Sequence, residues 1–198
     1  LDLEDRGISR SLLLFGNREL DHKIILENAL YPGMSVLDIG ANIGYYTLMM
    51  LRLIGPDGTL IAVEPSPSNI SLLKRNLLLN GHSNIEVHQK AVSETGGIRN
   101  LFLSEMSNLN TFHDTGSGSK HLSDTTIEVK TETVQQIAAG RKIDLIRMDV
   151  EGHEIEVING LIPAIESKEM APTIIFETHL SRYDVDHDMK APLRRLFS

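Results

Sequence analysis

The chain of 198 residues carries 19 lysines and arginines against 27 aspartates and glutamates, a net charge of -8, with 41% apolar residues and no cysteine. That length fits one domain with a sizeable core, the acidity and the scatter of basic residues argue against a nucleic-acid partner, and the missing cysteines exclude disulfides, thiolate metal centres and cysteine nucleophiles. No apolar tract approaches the roughly 18 residues of a membrane span. The first residue is Leu1, not a methionine. A cytoplasmic protein is therefore the expectation for this segment, with room upstream for a signal or anchor.

Residues 1–33 read as a cap ahead of a single domain over 34–198. Asp5-Arg6-Gly7 makes a turn, and Asp21 is placed to cap a helix over 22–30 that stops before Pro32-Gly33. Residues 34–37 form a short apolar run, a buried strand that ends on Asp38. A turn bearing Gly40 and Gly44 follows, then an apolar run over 45–53 of helical length. Strand, glycine-bearing turn and helix is the arrangement in which a nucleotide-shaped ligand meets backbone, because glycine puts no Cβ in the way. The dinucleotide fingerprint G-x-G-x-x-G fails twice, at Asn42 and at Tyr45, and no Gly-Lys-Ser/Thr follows Gly44 to make a P-loop. An acid at the strand end repels a pyrophosphate and suits a ligand carrying an ammonium and a sulfonium, which describes S-adenosylmethionine.

Gly55-Pro56-Asp57-Gly58 is a turn, and residues 59–63 make a fully buried strand ending on Glu64. A carboxylate after a strand is commonly a solvated turn residue. With the Asp38 turn upstream, Glu64 reads instead as the acid that accepts hydrogen bonds from two vicinal ribose hydroxyls. Ser68 or Asn69 caps the next helix, through Leu72, Leu73, Leu77 and Leu78. A third strand over 85–89 leads to Lys90-Ala91-Val92-Ser93, with Ala91 among the residues placed to meet an adenine. Residues 94–125 break this rhythm. Leu101-Phe102-Leu103 suggests an extra strand, and 106–122 is a polar insert holding His113 and His121, neither of which is selected as functional. Residues 127–131 alternate like a half-exposed strand, and Thr133 caps a helix over 134–138 closed by Gly140.

A strand over 143–148 ends on Asp149, with Glu151, Gly152, His153 and Glu154 close behind. A helix follows through Ile155, Val157, Ile158 and Leu161 and stops around 160–163. In a doubly wound sheet this strand crosses back beside the first, which sets Asp149 next to the Gly40 turn at the switch point. Acids suit the first turn of a helix, yet three of them with His153 exceed what capping requires. A fifth strand over 173–176 ends on Glu177, in the same position as Glu64 and Asp149, and a helical patch lies near Leu193 and Leu196.

The pieces Leu37-Asp38-Ile39-Gly40-Ala41-Asn42-Ile43-Gly44-Tyr45-Tyr46-Thr47, Val63-Glu64-Pro65, Met148-Asp149-Val150-Glu151-Gly152-His153-Glu154 and Ile175-Phe176-Glu177 resemble the FkbM family of class I S-adenosylmethionine-dependent methyltransferases, in the family's order. The resemblance implies an α/β, Rossmann-like, doubly wound and mostly parallel sheet flanked by helices, with a reversed last strand. It also implies methyl transfer to a hydroxyl of a sugar, lipid or secondary-metabolite acceptor. Carried over, Asp38, Gly40, Asn42, Gly44 and Glu64 bind the cofactor, with Tyr45 and Ala91 beside them. Asp149, Glu151 and His153 face the methyl group, joined by Glu177. Two departures stand out. Thr131-Glu132-Thr133 replaces the family's Thr-Leu-Asp, and about 20 residues remain after the fifth strand where two more strands are expected. A sheet truncated there leaves an edge open to a second copy of the chain.

The chemistry asks for an in-line arrangement and a group to take the hydroxyl proton. His153 is the first choice of base, with Asp149 or Glu151 orienting it or serving in its place. A magnesium or manganese ion held by Asp149, Glu151, His153 and Glu177 ranks second. Two other classes remain as alternatives: a non-catalytic methyltransferase-like scaffold, against which the intact turn residues argue, and a nicotinamide-dependent oxidoreductase, against which the absent third glycine argues.

Overall fold

The computed structural model describes residues 8–16, 19–104, 109–113, 122–179, 183 and 187–197. The turn expected at Asp5-Arg6-Gly7, and His121, lie outside the described residues. Helices α1 (Ile8–Phe15) and α2 (Leu20–Ala29) precede β1 (Ser35–Ile39), α3 (Tyr45–Ile54), β2 (Thr59–Val63), α4 (Pro67–Leu79) and β3 (Glu86–His88). Next come β4 (Ala91–Val92), β5 (Gly97–Ser104), β6 (Leu122–Glu132) and α5 (Val134–Ala138). The chain continues through β7 (Leu145–Met148), α6 (Glu154–Glu166), β8 (Thr173–Phe176) and α7 (Lys190–Leu196).

Five strands form a sheet in the order β3-β2-β1-β7-β8, parallel at every pairing. The order reverses between β1 and β7, as expected of a doubly wound sheet. The reversed last strand does not occur among the described residues, where β8 is the edge. Alternation along each strand feeds two cores. Leu37, Ile39, Ile61, Val63, Ile146 and Met148 face α5, α6 and α7, where Val134, Ile137, Val157, Ile158 and Leu161 meet them. Val36, Leu60, Ala62 and Leu145 face α2, α3 and α4 through Leu26, Met50, Ile54, Leu73 and Leu77. Strands buried on both faces read as continuous apolar runs, which is why the central ones were legible in the sequence.

The strands expected around 101–103 and 127–131 lie in a second, separate sheet. β5 pairs antiparallel with β6, which also takes β4 as a parallel neighbour. Both long strands exceed their apolar kernels because backbone pairing continues past the buried Leu101 and Val129 into exposed residues.

Helix ends show which local signals held. Thr133 forms the expected cap as a full capping box: its hydroxyl accepts from Gln136 N at 3.2 Å, and Gln136 Oε1 accepts from Thr133 N at 2.8 Å. At α2 the cap position is Glu19, in a left-handed conformation, so Asp21 lies inside the first turn. At α4 it is Ser66, with Pro67 opening the helix in place of a cap at Ser68 or Asn69. Helix α6 runs through Pro163 to Glu166 and does not stop at Gly160. Burial of Ile158, Leu161, Ile162 and Ala164 outweighs the hydrogen bond the proline removes. Gly160 serves close packing instead, since a Cβ there would stand 2.7 Å from Glu94 Cα.

A buried ion pair lies within the central sheet. Asp38 and Arg147 are register partners on β1 and β7, and both point to the face covered by α3. Arg147 is 2% exposed and Asp38 fully buried. The guanidinium donates to Asp38 Oδ1 at 3.3 Å, to Gly40 O at 3.1 Å and to Asp149 Oδ2 at 2.9 Å. It also lies 4.5 Å over the Tyr46 ring, while Thr47 Oγ1 donates to Asp38 Oδ2 at 2.6 Å. Removing Arg147 would leave a buried carboxylate uncompensated. Arg147→Met is expected to cost about 3–5 kcal/mol of folding stability by urea denaturation. A loss below about 1 kcal/mol would show that the carboxylate does not depend on the guanidinium.

Candidate functional site

The carboxyl ends of β1, β2 and β7 open into one cavity. Its walls include Gly40, Asn42, Tyr45, Glu64, Ala91, Asp149, Glu151 and His153, so eight of the sequence-selected residues converge there. Asp38, Gly44 and Glu177 are not among its walls.

The first loop explains this division. Gly40 has φ +79°, and a Cβ on it would come within 2.0 Å of the Asp149 carbonyl oxygen. The glycine therefore lets the β1 and β7 loops touch. Asn42 is left-handed at φ 50°, a conformation asparagine tolerates because its short amide bonds locally; here Asn42 Oδ1 accepts from Ile43 N at 2.8 Å. Gly44 is also left-handed and starts α3, where a Cβ would stand 2.6 Å from Leu73 Cδ1. It packs helices and does not face the cavity. Asp38 corrects the expectation most directly: its carboxylate is held by Thr47 and Arg147, so it does not meet a cationic ligand. The acids that line the cavity are Glu19, Glu64, Asp149 and Glu151.

Glu64 is 5% exposed. Its Oε2 accepts from Asn42 N at 2.9 Å, and its Oε1 accepts from Ser66 N at 2.9 Å and Asn69 Nδ2 at 3.2 Å. Burial raises its carboxyl to about 7, against the opposing pull of those donors. A carboxylate has about four lone-pair sites, so it retains capacity for a ligand hydroxyl.

On the β7 side, sequence reasoning paired the wrong imidazole with the acids. His153 is 1% exposed. Its Nε2 lies 3.1 Å from Ser93 Oγ and 3.4 Å from Arg99 NH1, and its Nδ1 lies 3.3 Å from Glu156 Oε2. Burial, with Arg99 adding to it, holds this ring well below its ordinary value, which keeps it neutral. Nε2 is turned to Ser93 and Arg99, and Nδ1 faces Glu156 without a hydrogen bond, so neither nitrogen is oriented by Asp149 or Glu151 as expected. The imidazole that Asp149 and Glu151 approach is His179, at 3.7 and 3.6 Å from its Nε2, with Glu154 Oε1 2.9 Å from its Nδ1. Burial works against its charged form, but the Glu154 hydrogen bond and the charges of Glu151 and Asp149 prevail and raise it to about 9. The signal for it was present as the histidine two places after Glu177 at a strand end.

Glu154 answers the excess of acids. It is fully buried, its Oε1 accepts from Val150 N at 3.2 Å and Gly152 N at 3.3 Å, and Tyr183 Oη donates to its Oε2 at 2.8 Å. It shapes the 149–153 loop. Glu177 stands beside the cavity with its carboxyl raised by burial and by Asp149 and Glu19. The four residues expected to share a cation do not come together. Two of them, Asp149 and Glu177, do meet with His179, ligand atoms within 4.8 Å of one another, and a divalent ion there would have to displace the proton of His179.

Comparison with known proteins agrees with this architecture. A family model described as "Methyltransferase FkbM domain" matches residues 38–196. The chain is 28% identical over 144 residues to "Methyltransferase 1" of Beauveria bassiana, covering 64% of this chain and 57% of that protein. It is 29% identical over 160 residues to "31-O-demethyl-FK506 methyltransferase FkbM" of Streptomyces tacrolimicus, covering 67% and 61%. The chain thus spans less than two thirds of the length of these relatives. Among solved structures, methyltransferase FkbM from Methylobacillus flagellatus superimposes with a TM-score of 0.52 at 16% identity, covering 87% of this chain and 37% of that one, which is a likeness of fold. With a family match over most of its length and a parallel sheet whose switch point opens on the matched loops, this chain belongs to the FkbM methyltransferase family.

Proposed function

We propose that this protein transfers the methyl group of S-adenosylmethionine to a hydroxyl oxygen of a sugar, lipid or secondary-metabolite acceptor. The observation that carries the reading is the cavity itself. Glu64, the Gly40–Asn42 backbone and Ala91 line one part of it, and Asp149 and Glu151 face it from the switch point. The residues present fit the cofactor's parts. Glu64 suits a ribose diol, Ala91 and Val92 suit the faces of an adenine, and the acidic walls suit a cation. When bound, S-adenosylmethionine would supply a methyl group on a sulfonium centre.

The protein's own part is to position the acceptor and take its proton. Asp149 Oδ2 is fixed by Arg147, and Oδ1, 3.7 Å from His179 Nε2, is the atom that would receive the hydroxyl proton as the new bond forms. Glu151 orients the acceptor beside it. His179, held protonated among these carboxylates, balances their charge and keeps both pointed at one spot.

Calorimetric titration with S-adenosylhomocysteine tests the cofactor assignment. Saturable binding is expected in the parent. Glu64→Gln should weaken it about 10- to 100-fold, the range for a lost hydrogen bond to a charged group, with circular dichroism confirming the fold. A folded parent that fails to bind would sink the assignment. Ribose hydroxyls donate to the ionised carboxylate, so affinity should rise about tenfold from pH 6 to pH 8 as Glu64 loses its proton near 7. Glu64→Gln should abolish that dependence, whereas a pH-independent parent would count against the ribose contact. Once an acceptor is found by screening hydroxylated compounds with methyl-labelled cofactor, Asp149→Asn should lower turnover about 10²- to 10⁴-fold while cofactor affinity stays within a few-fold. Unchanged turnover would remove Asp149 as the proton acceptor.

A further inference from the structure

Away from the cavity, three elements bring a set of metal-ligating side chains together. His113 ends the 109–113 segment, which is tied to β5 through the Phe102–Thr111 bridge. Glu156 sits in the first turn of α6, and His187 lies shortly before α7. None of the three lines the cavity. Their ligand atoms fall within 4.8 Å of one another. His187 Nε2 is 3.1 Å and His113 Nε2 3.9 Å from the same Glu156 Oε1, and the two imidazole centroids are 4.5 Å apart.

We propose that His113, Glu156 and His187 form a binding site for a zinc-class divalent ion that fastens the 109–113 segment and the residues just ahead of α7 to α6. The spacing brackets the roughly 3.3 Å between ligand atoms in a tetrahedral zinc centre with bonds of about 2.0–2.1 Å. Two imidazoles and one carboxylate select zinc or its transition-metal neighbours over magnesium, which prefers an all-oxygen shell. Three protein ligands leave a fourth position for water.

A second, independent observation points to the same spot. His113 Nε2 and Glu156 Oε2 are buried without a hydrogen-bond partner among the described residues, and so is Nδ1 of His153, a side chain 1% exposed. Buried polar atoms are almost always satisfied, so His113 Nε2, 3.9 Å from Glu156 Oε1, calls for a missing partner. A cation at Glu156 Oε1 and His113 Nε2 satisfies the latter directly. It also polarises the carboxylate whose other oxygen lies 3.3 Å from His153 Nδ1, the arrangement by which outer groups orient a metal ligand. The ligands are partly exposed, which leaves an entry path. The site has a consequence for the cavity next door, because His153 and Phe112, the neighbour of His113, are both cavity walls with ring centroids 4.7 Å apart.

The test uses the whole chain after chelator treatment, titrated with zinc by calorimetry and with cobalt by visible absorption. One equivalent of zinc is expected to bind at micromolar concentration or below, raising the thermal midpoint by several degrees, while magnesium does neither. Cobalt is expected to give the intense visible bands of a four-coordinate site. The double variant His113→Asn/His187→Asn should lose binding at least tenfold, and His179→Gln, at the neighbouring acidic cluster, should retain it. The proposal is overturned by absence of saturable zinc binding in the parent. It is equally overturned if the His113/His187 variant binds as the parent does, or if the loss follows His179→Gln instead.

Discussion

The site depends on one buried cation. Arg147 lies inside the sheet and reaches the carboxylate of its register partner Asp38, the carbonyl of Gly40 and the carboxylate of Asp149. A guanidinium can serve three acceptors because its donors form a rigid planar fork, which an ammonium lacks. Each acceptor belongs to a different part of the switch point: the first strand, the glycine loop and the end of the neighbouring strand. Burying a charge there is unfavourable by itself. What it secures is a fixed relation between the loop that lines one side of the cavity and the carboxylate that lines the other.

The same constraint explains why Gly40 is a glycine. The two loops approach until the space for a Cβ is already taken by the Asp149 carbonyl, so the contact is backbone against backbone. Glu64 completes the frame from β2 through its bond with Asn42 N. The candidate site is therefore a set of strand ends cross-linked by one arginine and one glutamate. A fixed relation of that kind is what an in-line transfer requires, since small displacements of a reacting atom lower its rate steeply.

Charge balance is settled on the far side of the cavity. Asp149, Glu151 and Glu154 would repel one another, and His179 relieves that by holding a proton. Glu154 meanwhile spends its oxygens on the backbone of its own loop. A cluster that reads in one dimension as surplus acidity is in three dimensions one structural acid, two that face the cavity and one cation between them.

The sequence alone determined the central strands, the order of strand, glycine turn and helix, the cap at Thr133 and the eight residues that meet in the cavity. These features are local: apolar runs mark strands buried on both faces, and loop chemistry marks the carboxyl ends where a parallel sheet binds ligands. Tertiary structure alone decided that Asp38 is sealed by Arg147, that Gly44 packs against Leu73, that α6 continues through Pro163 and that His179 rather than His153 joins the acids. It also decided that β5 and β6 lie in a second sheet. Each of these rests on a partner far away in the chain. The direction of a side chain, and the contact that satisfies a buried charge, are fixed by packing between elements and not by the residues on either side.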